Sequence, residues 1–220
     1  MKKFIIAALM TLGLTNIVGV QKSEARDLRW AWADVAAGLA SAEMGPLSFV
    51  VAGCASMAAA PASAIKIDFT PSPTFPPNPF DQIGINHDKF LAAYAGMGGT
   101  LPIDYNLAKQ AAKQVAPQSA EQIDAIADDY LSESVNTAKS FPTRTPKDIL
   151  NMLKTYIQTT DQADQIILAN LTTIMNSDDP IQATINFEKI IPTLPQDKTA
   201  NDYLLLGMAI LRNSTSYWYY

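Results

Sequence analysis

Asn78-Pro79-Phe80-Asp81-Gln82-Ile83-Gly84-Ile85-Asn86-His87-Asp88-Lys89-Phe90-Leu91-Ala92-Ala93-Tyr94-Ala95-Gly96 divides the chain. The residues before it are apolar, rich in small side chains or rich in proline. The residues after it read as a succession of amphipathic helices. The stretch itself has the marks of one helix. Asn78 is a good N-cap, and Pro79 suits the first helical position, where a missing N–H is no loss. Asp81 brings a negative charge to the first turn, where it complements the helix dipole. Gly96 can leave the helix at positive φ. Phe80, Ile83, His87, Phe90, Leu91 and Tyr94 recur three or four residues apart and so share one face. Gly84 lies on the same side and would let another element come close.

The only histidine of the chain therefore sits on the apolar stripe. The favoured expectation is a buried, hydrogen-bonded structural histidine, since buried polar groups find partners. The sharper one makes His87 a general base or a metal ligand, with partners from elsewhere in the chain. One histidine and one cysteine cannot assemble a closed zinc site of nitrogen and sulfur ligands within one chain. No metal and no cofactor is expected. No catalytic residue is assigned, and His87 is the one candidate.

The same stretch carries a resemblance. It resembles a motif of uncharacterised, secreted bacterial proteins, N-P-[FY]-D-x-[IV]-G-x-x-H-N-x-x-L. Asn78, Pro79, Phe80, Asp81, Ile83, Gly84, His87 and Leu91 match it, and Asp88 departs from the expected Asn. Residues 30–41, with tryptophans before Ala33-Asp34, are similar to those proteins too, and so are residues 209–218 with Ser216-Tyr217-Trp218. The resemblance implies export and a helical body. It brings no activity.

The 220 residues suffice for one sizeable core, or one domain with an appendage. At 48% hydrophobic the chain is not disordered by composition. Its start reads as a secretory signal. Met1-Lys2-Lys3 is the basic region, residues 4–20 are the apolar region, and Ser23-Glu24-Ala25 places small residues where a signal peptidase reads them. Cleavage after Ala25 is expected, giving a signal peptide over residues 1–25, with an uncleaved anchor as the alternative. Cleavage removes Lys2, Lys3, Lys22 and Glu24, which deepens the net charge from −5 to −7. An acidic exported chain without a basic patch is not expected to bind nucleic acid. Cys54 is alone and forms no intrachain disulfide. Val51-Ala52-Gly53-Cys54 looks like a lipobox, but it lies far from the basic start behind intervening charges, so chance explains it better than lipidation.

Residues 26–65 form an apolar, small-residue helical segment. Ala33, Ala37 and Ser41 repeat every four residues, as do Ala36 and Ala40, and such faces let helices approach closely. Gly45-Pro46 ends the first helix. Residues 47–65 carry no charge, and their length nearly suits a membrane span. Three expectations compete for residues 30–65: a helical hairpin buried in the protein's own core, which is favoured, a hairpin inserting into a membrane, or a surface covered by a protein partner. Trp30 and Trp32 could anchor at a membrane interface or pack inside. Ile65-Lys66-Ile67-Asp68-Phe69 could be a short strand or an extended arm. A proline-rich linker occupies residues 66–79.

Residues 80–220 read as a helical domain. Helices are expected over 102–115, over 119–140 with Ser119 and Gln122 as a capping box, and after the caps at Thr145, Thr160 or Asp161, Asp179 and Thr199. The core face of the longest carries Ile123, Ile126, Ala127, Tyr130, Leu131, Ser134, Val135 and Ala138. The next helices place Ile149, Leu150, Leu153, Tyr156, Ile157, Ile166, Ile167, Leu171, Ile174, Met175, Ile185 and Ile190 inside, and the last carries Tyr203, Leu204, Leu206, Gly207, Ile210 and Leu211. Asp128 and Asp129 are expected to be solvated charge. Residues 213–220 form an aromatic tail docked on the core. Short turns favour antiparallel neighbours in a bundle.

No P-loop, dinucleotide glycine motif, HExxH or GxSxG is present, which lowers the enzyme hypothesis. The expectation is an exported all-α protein, a helical bundle preceded by an apolar segment and a proline-rich arm. Its leading function is non-enzymatic, as an interaction or structural protein. Membrane insertion of residues 30–65 is the alternative, and a hydrolase using His87 the third reading. The motif set is Asn78, Pro79, Asp81, Gly84, His87 and Asp88.

Overall fold

The computed structural model describes residues 28–59, 77–140 and 145–219. The signal peptide, the expected strand or arm at 65–69 and most of the proline-rich linker lie outside the described residues. Within them the protein is all-α, with ten α-helices and no strand.

The apolar segment supplies α1 (Arg29–Ala40) and α2 (Ser48–Ala59), joined by a 3-10 turn over Ala42–Leu47. Ser41 closes α1 by donating from its backbone N–H and its hydroxyl to the Ala37 carbonyl. Gly45 then turns the chain at φ 56, a conformation that glycine adopts without strain. Ten successive residues of α2, from Ser48 to Met57, are buried. The eighteen residues Ala42–Ala59 are long and apolar enough to cross a membrane, with a mean hydropathy of 1.3, yet 61% of them are buried inside the protein. The core helix of a soluble protein passes the same test.

The stretch that divides the chain forms α3 (Asp81–Gly96). Asn78 does not cap it directly. Its side-chain oxygen accepts the Phe80 N–H at 2.9 Å and its carbonyl accepts the Asp81 N–H at 3.0 Å, so the chain makes an Asx turn before the helix begins. At the other end Gly98, not Gly96, takes positive φ, at 80°. The Tyr94 hydroxyl donates to the Thr100 carbonyl at 2.9 Å and accepts the Asp104 N–H, which pins the loop into the next helix.

α4 (Tyr105–Val115) starts at Asp104, whose carboxylate accepts the N–H groups of Asn106 and Leu107. The single helix expected over 119–140 is instead a 3-10 turn (Pro117–Ser119), the short α5 (Ala120–Asp124) and α6 (Asp128–Ser140). Ser119 makes no capping bond. Ile126 and Val135 are both buried. On a straight helix turning ~100° per residue, nine residues would put them on opposite faces, so the break at 125–127 is what brings both inside. The same reorientation leaves Tyr130 37% exposed and Ala127 exposed rather than in the core, with Ser134 half-buried.

α7 (Pro146–Leu153) has a capping box between Thr145 and Asp148, at the cap expected there. α8 (Asp161–Asn176) and α9 (Pro180–Ile190) start at Thr160 and Asp179 as expected. Ile190, expected inside, is 37% exposed at the end of α9. α10 (Lys198–Tyr219) absorbs the aromatic tail as further helical turns. Asp197 accepts the Ala200 N–H at its start.

The central layer is α1, α2, α3 and α10. α10 packs on both α1 and α3, and α2 packs on α3 and α6. α4 lies beside α3, and α7, α8 and α9 pack in succession back to α10. Buried residues of the apolar segment and of the later helices belong to one continuous core.

Candidate functional site

Four helices of the central layer each bring polar groups into the core. α1 is built of alanine and tryptophan, and its one interior charge is Asp34. α2 contributes Ser56 from an uncharged run. α3 contributes His87 and Asp88, and α10 contributes Ser214 and Trp218. Asp34, Ser56, His87, Asp88 and Ser214 are fully buried, and Trp218 nearly so.

The groups form one chain of contacts. The Trp218 indole N–H donates to the Ser56 hydroxyl at 2.9 Å, and Ser56 donates to Asp34 Oδ2 at 2.8 Å. Ser214 donates to the same carboxylate oxygen. His87 Nε2 faces that oxygen at 3.4 Å, an ion-pair contact at the edge of hydrogen-bond range. On its other side His87 Nδ1 lies 2.9 Å from Asp88 Oδ1. The imidazole is thus held between two carboxylates from different helices.

Burial alone would lower the His87 pKa, but Asp34 and Asp88 outweigh it and hold the ring up at about 9. It is therefore an imidazolium at neutral pH. Burial raises Asp34 against the opposing pull of His87, Ser214 and Ser56. Burial also pushes Asp88 up to about 6, again against His87.

A second, largely buried network lies nearer the start of α3. The Asn78 amide donates to Glu188 at 2.8 Å and to the Leu205 carbonyl at 3.0 Å. Arg212 donates to Glu188 at 3.0 Å and pairs with Asp81, and Asp81 also accepts the Asn78 N–H at 2.9 Å. Burial pushes Glu188 up to about 7, against the Asn78 bond, and Arg212 down to about 10. Between the two networks Gly84 lies so close to α10 that a Cβ there would sit 2.6 Å from the Ala209 carbonyl and collide with the Asn213 amide. Asn78 meets Leu205, Gly84 meets Ala209 and Asn213, and His87 reaches Ser214 through Asp34. The pairing advances in one direction along both helices, so α3 and α10 run parallel.

The motif positions thus have a physical account. Asn78 and Asp81 bind α9 and α10, Gly84 admits α10, and His87 binds α1 with Asp88 behind it. Pro79 sits in the entry turn, half a turn before the helix. Asp34, Ser56, Glu188, Arg212 and Ser214 did not stand out in the sequence as partners. A signal was present for two of them. Asp34 is the lone charge between Trp30 and Ala42, and Arg212 the lone charge in the apolar half of α10. Residues 30–41, 78–91 and 209–218 all contribute to these networks, together with Ser56 of α2 and Glu188 of α9.

The chemistry of the cluster is that of a lock. Both serines donate to the Asp34 carboxylate, and neither is paired with the imidazole. Asp34, Ser56, His87, Asp88 and Ser214 have no solvent-accessible surface where a substrate could reach them. Among the described residues no group of His, Cys, Asp or Glu is placed to hold a metal ion. Cys54 is a buried free thiol, and burial pushes its pKa up to about 12, so it stays protonated. Asp128 is exposed and pairs with Lys109 at 2.7 Å. The chain matches no protein-family model, no curated protein and no solved structure.

Proposed function

We propose that this is an exported, non-enzymatic structural or interaction protein, whose apolar segment is covered by its own helices. One observation carries the reading: the α1–α2 hairpin, apolar enough to suggest a membrane or a partner, is buried in the core and tied there by Asp34 and Ser56. A buried ionic cluster of this kind adds little net stability over apolar packing but disfavours other arrangements of the helices. The basic and apolar character of residues 1–25 supports export.

A second reading is a membrane-active protein that releases the hairpin. The length and hydropathy of Ala42–Ala59 favour it. Fractionation of expressing cells, with an alkaline wash of the membranes, separates the two. Processed protein in the soluble periplasmic or secreted fraction is the expected result. Protein that resists the wash would replace the first reading with the second.

A further inference from the structure

A pocket of about 190 Å3 opens between α1, α6 and the turn after α7. Its floor is the alanine face of α1, including Ala33, Ala37 and Ala40. Tyr130, Glu133 and Ser134 of α6 line one side and Tyr156 the other. The volume is well below the ~300 Å3 of pockets that take drug-sized molecules, so the ligand has only a handful of heavy atoms.

The electrostatics of the walls are one-sided. Glu133 lines the pocket, and with Glu43 and Tyr156 it raises the Tyr130 hydroxyl, beyond what burial does. Four other carboxylates near the surface, Asp124, Asp128, Asp164 and Asp202, each hold a lysine. Among the described residues Glu43 and Glu133 hold none, and no basic residue lines the pocket. Two tyrosine rings and a carboxylate over a methyl-lined floor suit a positive charge carried on apolar groups. Aromatic faces attract cations, most of all those whose charge is spread over methyl groups. A hard metal ion would want six or more oxygen ligands, which alanines cannot supply.

We propose that this pocket binds a small organic cation of the quaternary-ammonium class, with Tyr130 and Tyr156 as aromatic walls and Glu133 as the counter-charge. This goes beyond the function proposed above, and each can fail without the other. The probe is choline chloride, titrated calorimetrically into the full purified chain. Its neutral carbon isostere, 3,3-dimethylbutanol, is titrated alongside. Saturable choline binding is expected, with the isostere at least roughly tenfold weaker. Glu133 is exposed, so Glu133→Gln folds normally and should weaken choline binding by about threefold to tenfold. Tyr156→Leu should weaken it further, and a thermal melt checks that this variant is folded. If Tyr156→Leu misfolds, Glu133→Gln and the isostere decide. The absence of saturable choline binding, equal binding of the isostere, or unchanged binding by Glu133→Gln would overturn the site.

Discussion

His87 is held between Asp34 and Asp88 with no exposure to water, and its neighbours are committed to one another. Removing one member of a buried ionic set leaves the others without compensation. His87→Ala should therefore lose about 3–5 kcal/mol of stability in urea denaturation. Asp129→Ala, at an exposed position, should stay within about 0.5 kcal/mol of the parent. A loss for His87→Ala no larger than for the control would contradict the lock. The cluster also fixes the pH dependence. His87, Asp88 and Glu188 all have folded pKa values raised above their ordinary ones, to about 9, about 6 and about 7. The folded state then binds protons more tightly than the unfolded chain, so stability falls as pH rises. For His87 the contribution is full below 6.5 and is lost as pH rises through about 9. The Tm should drop between pH 6.5 and 9.5 by about 5 °C or more, and His87→Asn should flatten that drop. A Tm that rises over this window would contradict the raised folded pKa of His87.

At the scale of the element, α3 tells which parts of a helix the sequence exposes to inspection. Its apolar periodicity marked most of the stripe, because Ile83, His87, Phe90, Leu91 and Tyr94 are buried, while Phe80, just before the helix, is half-buried. Asp88 was not legible as a core residue, because it lies off that stripe and is buried only because α3 is enclosed on more than one side. Helix ends were legible at Thr145, Thr160 and Asp179, but the single capping side chains Asp104 and Asp197 did not stand out against starts at Pro102 and Thr199. Helix ends were not legible where tertiary demands decide, as at the break before α6 and the Asx turn before α3. Two glycines of α3 make the contrast testable. Gly84→Ala would drive a methyl into the Ala209 carbonyl and should destabilise by about 1–3 kcal/mol. Gly96 has open space around it and negative φ, so Gly96→Ala should stabilise by about 0.4–1 kcal/mol. A Gly84→Ala protein that melts no lower than the parent would show that α3 and α10 are not in such close contact. At the α7 cap, Thr145→Ala should lose about 1 kcal/mol.

For the whole molecule, the all-α class came from periodicity and caps, but the place of residues 30–59 did not. An alanine-rich hairpin whose second helix is uncharged is equally at home in a core, a membrane or an interface, and composition does not separate them. The separating feature is Asp34, a lone carboxylate whose partners come from α2, α3 and α10, between 22 and 180 residues away in sequence. Such long-range pairing leaves no local pattern to read. It also ties the hairpin to the last helix, so hairpin and body should unfold together in one transition. Hydrogen–deuterium exchange on the purified chain in water, without lipid or detergent, tests this most directly. The account expects peptides within Ser48–Ala59 to exchange as slowly as those of α10, through global unfolding alone. Fast exchange in water, with protection appearing only when vesicles are added, would contradict it and make the hairpin a membrane element.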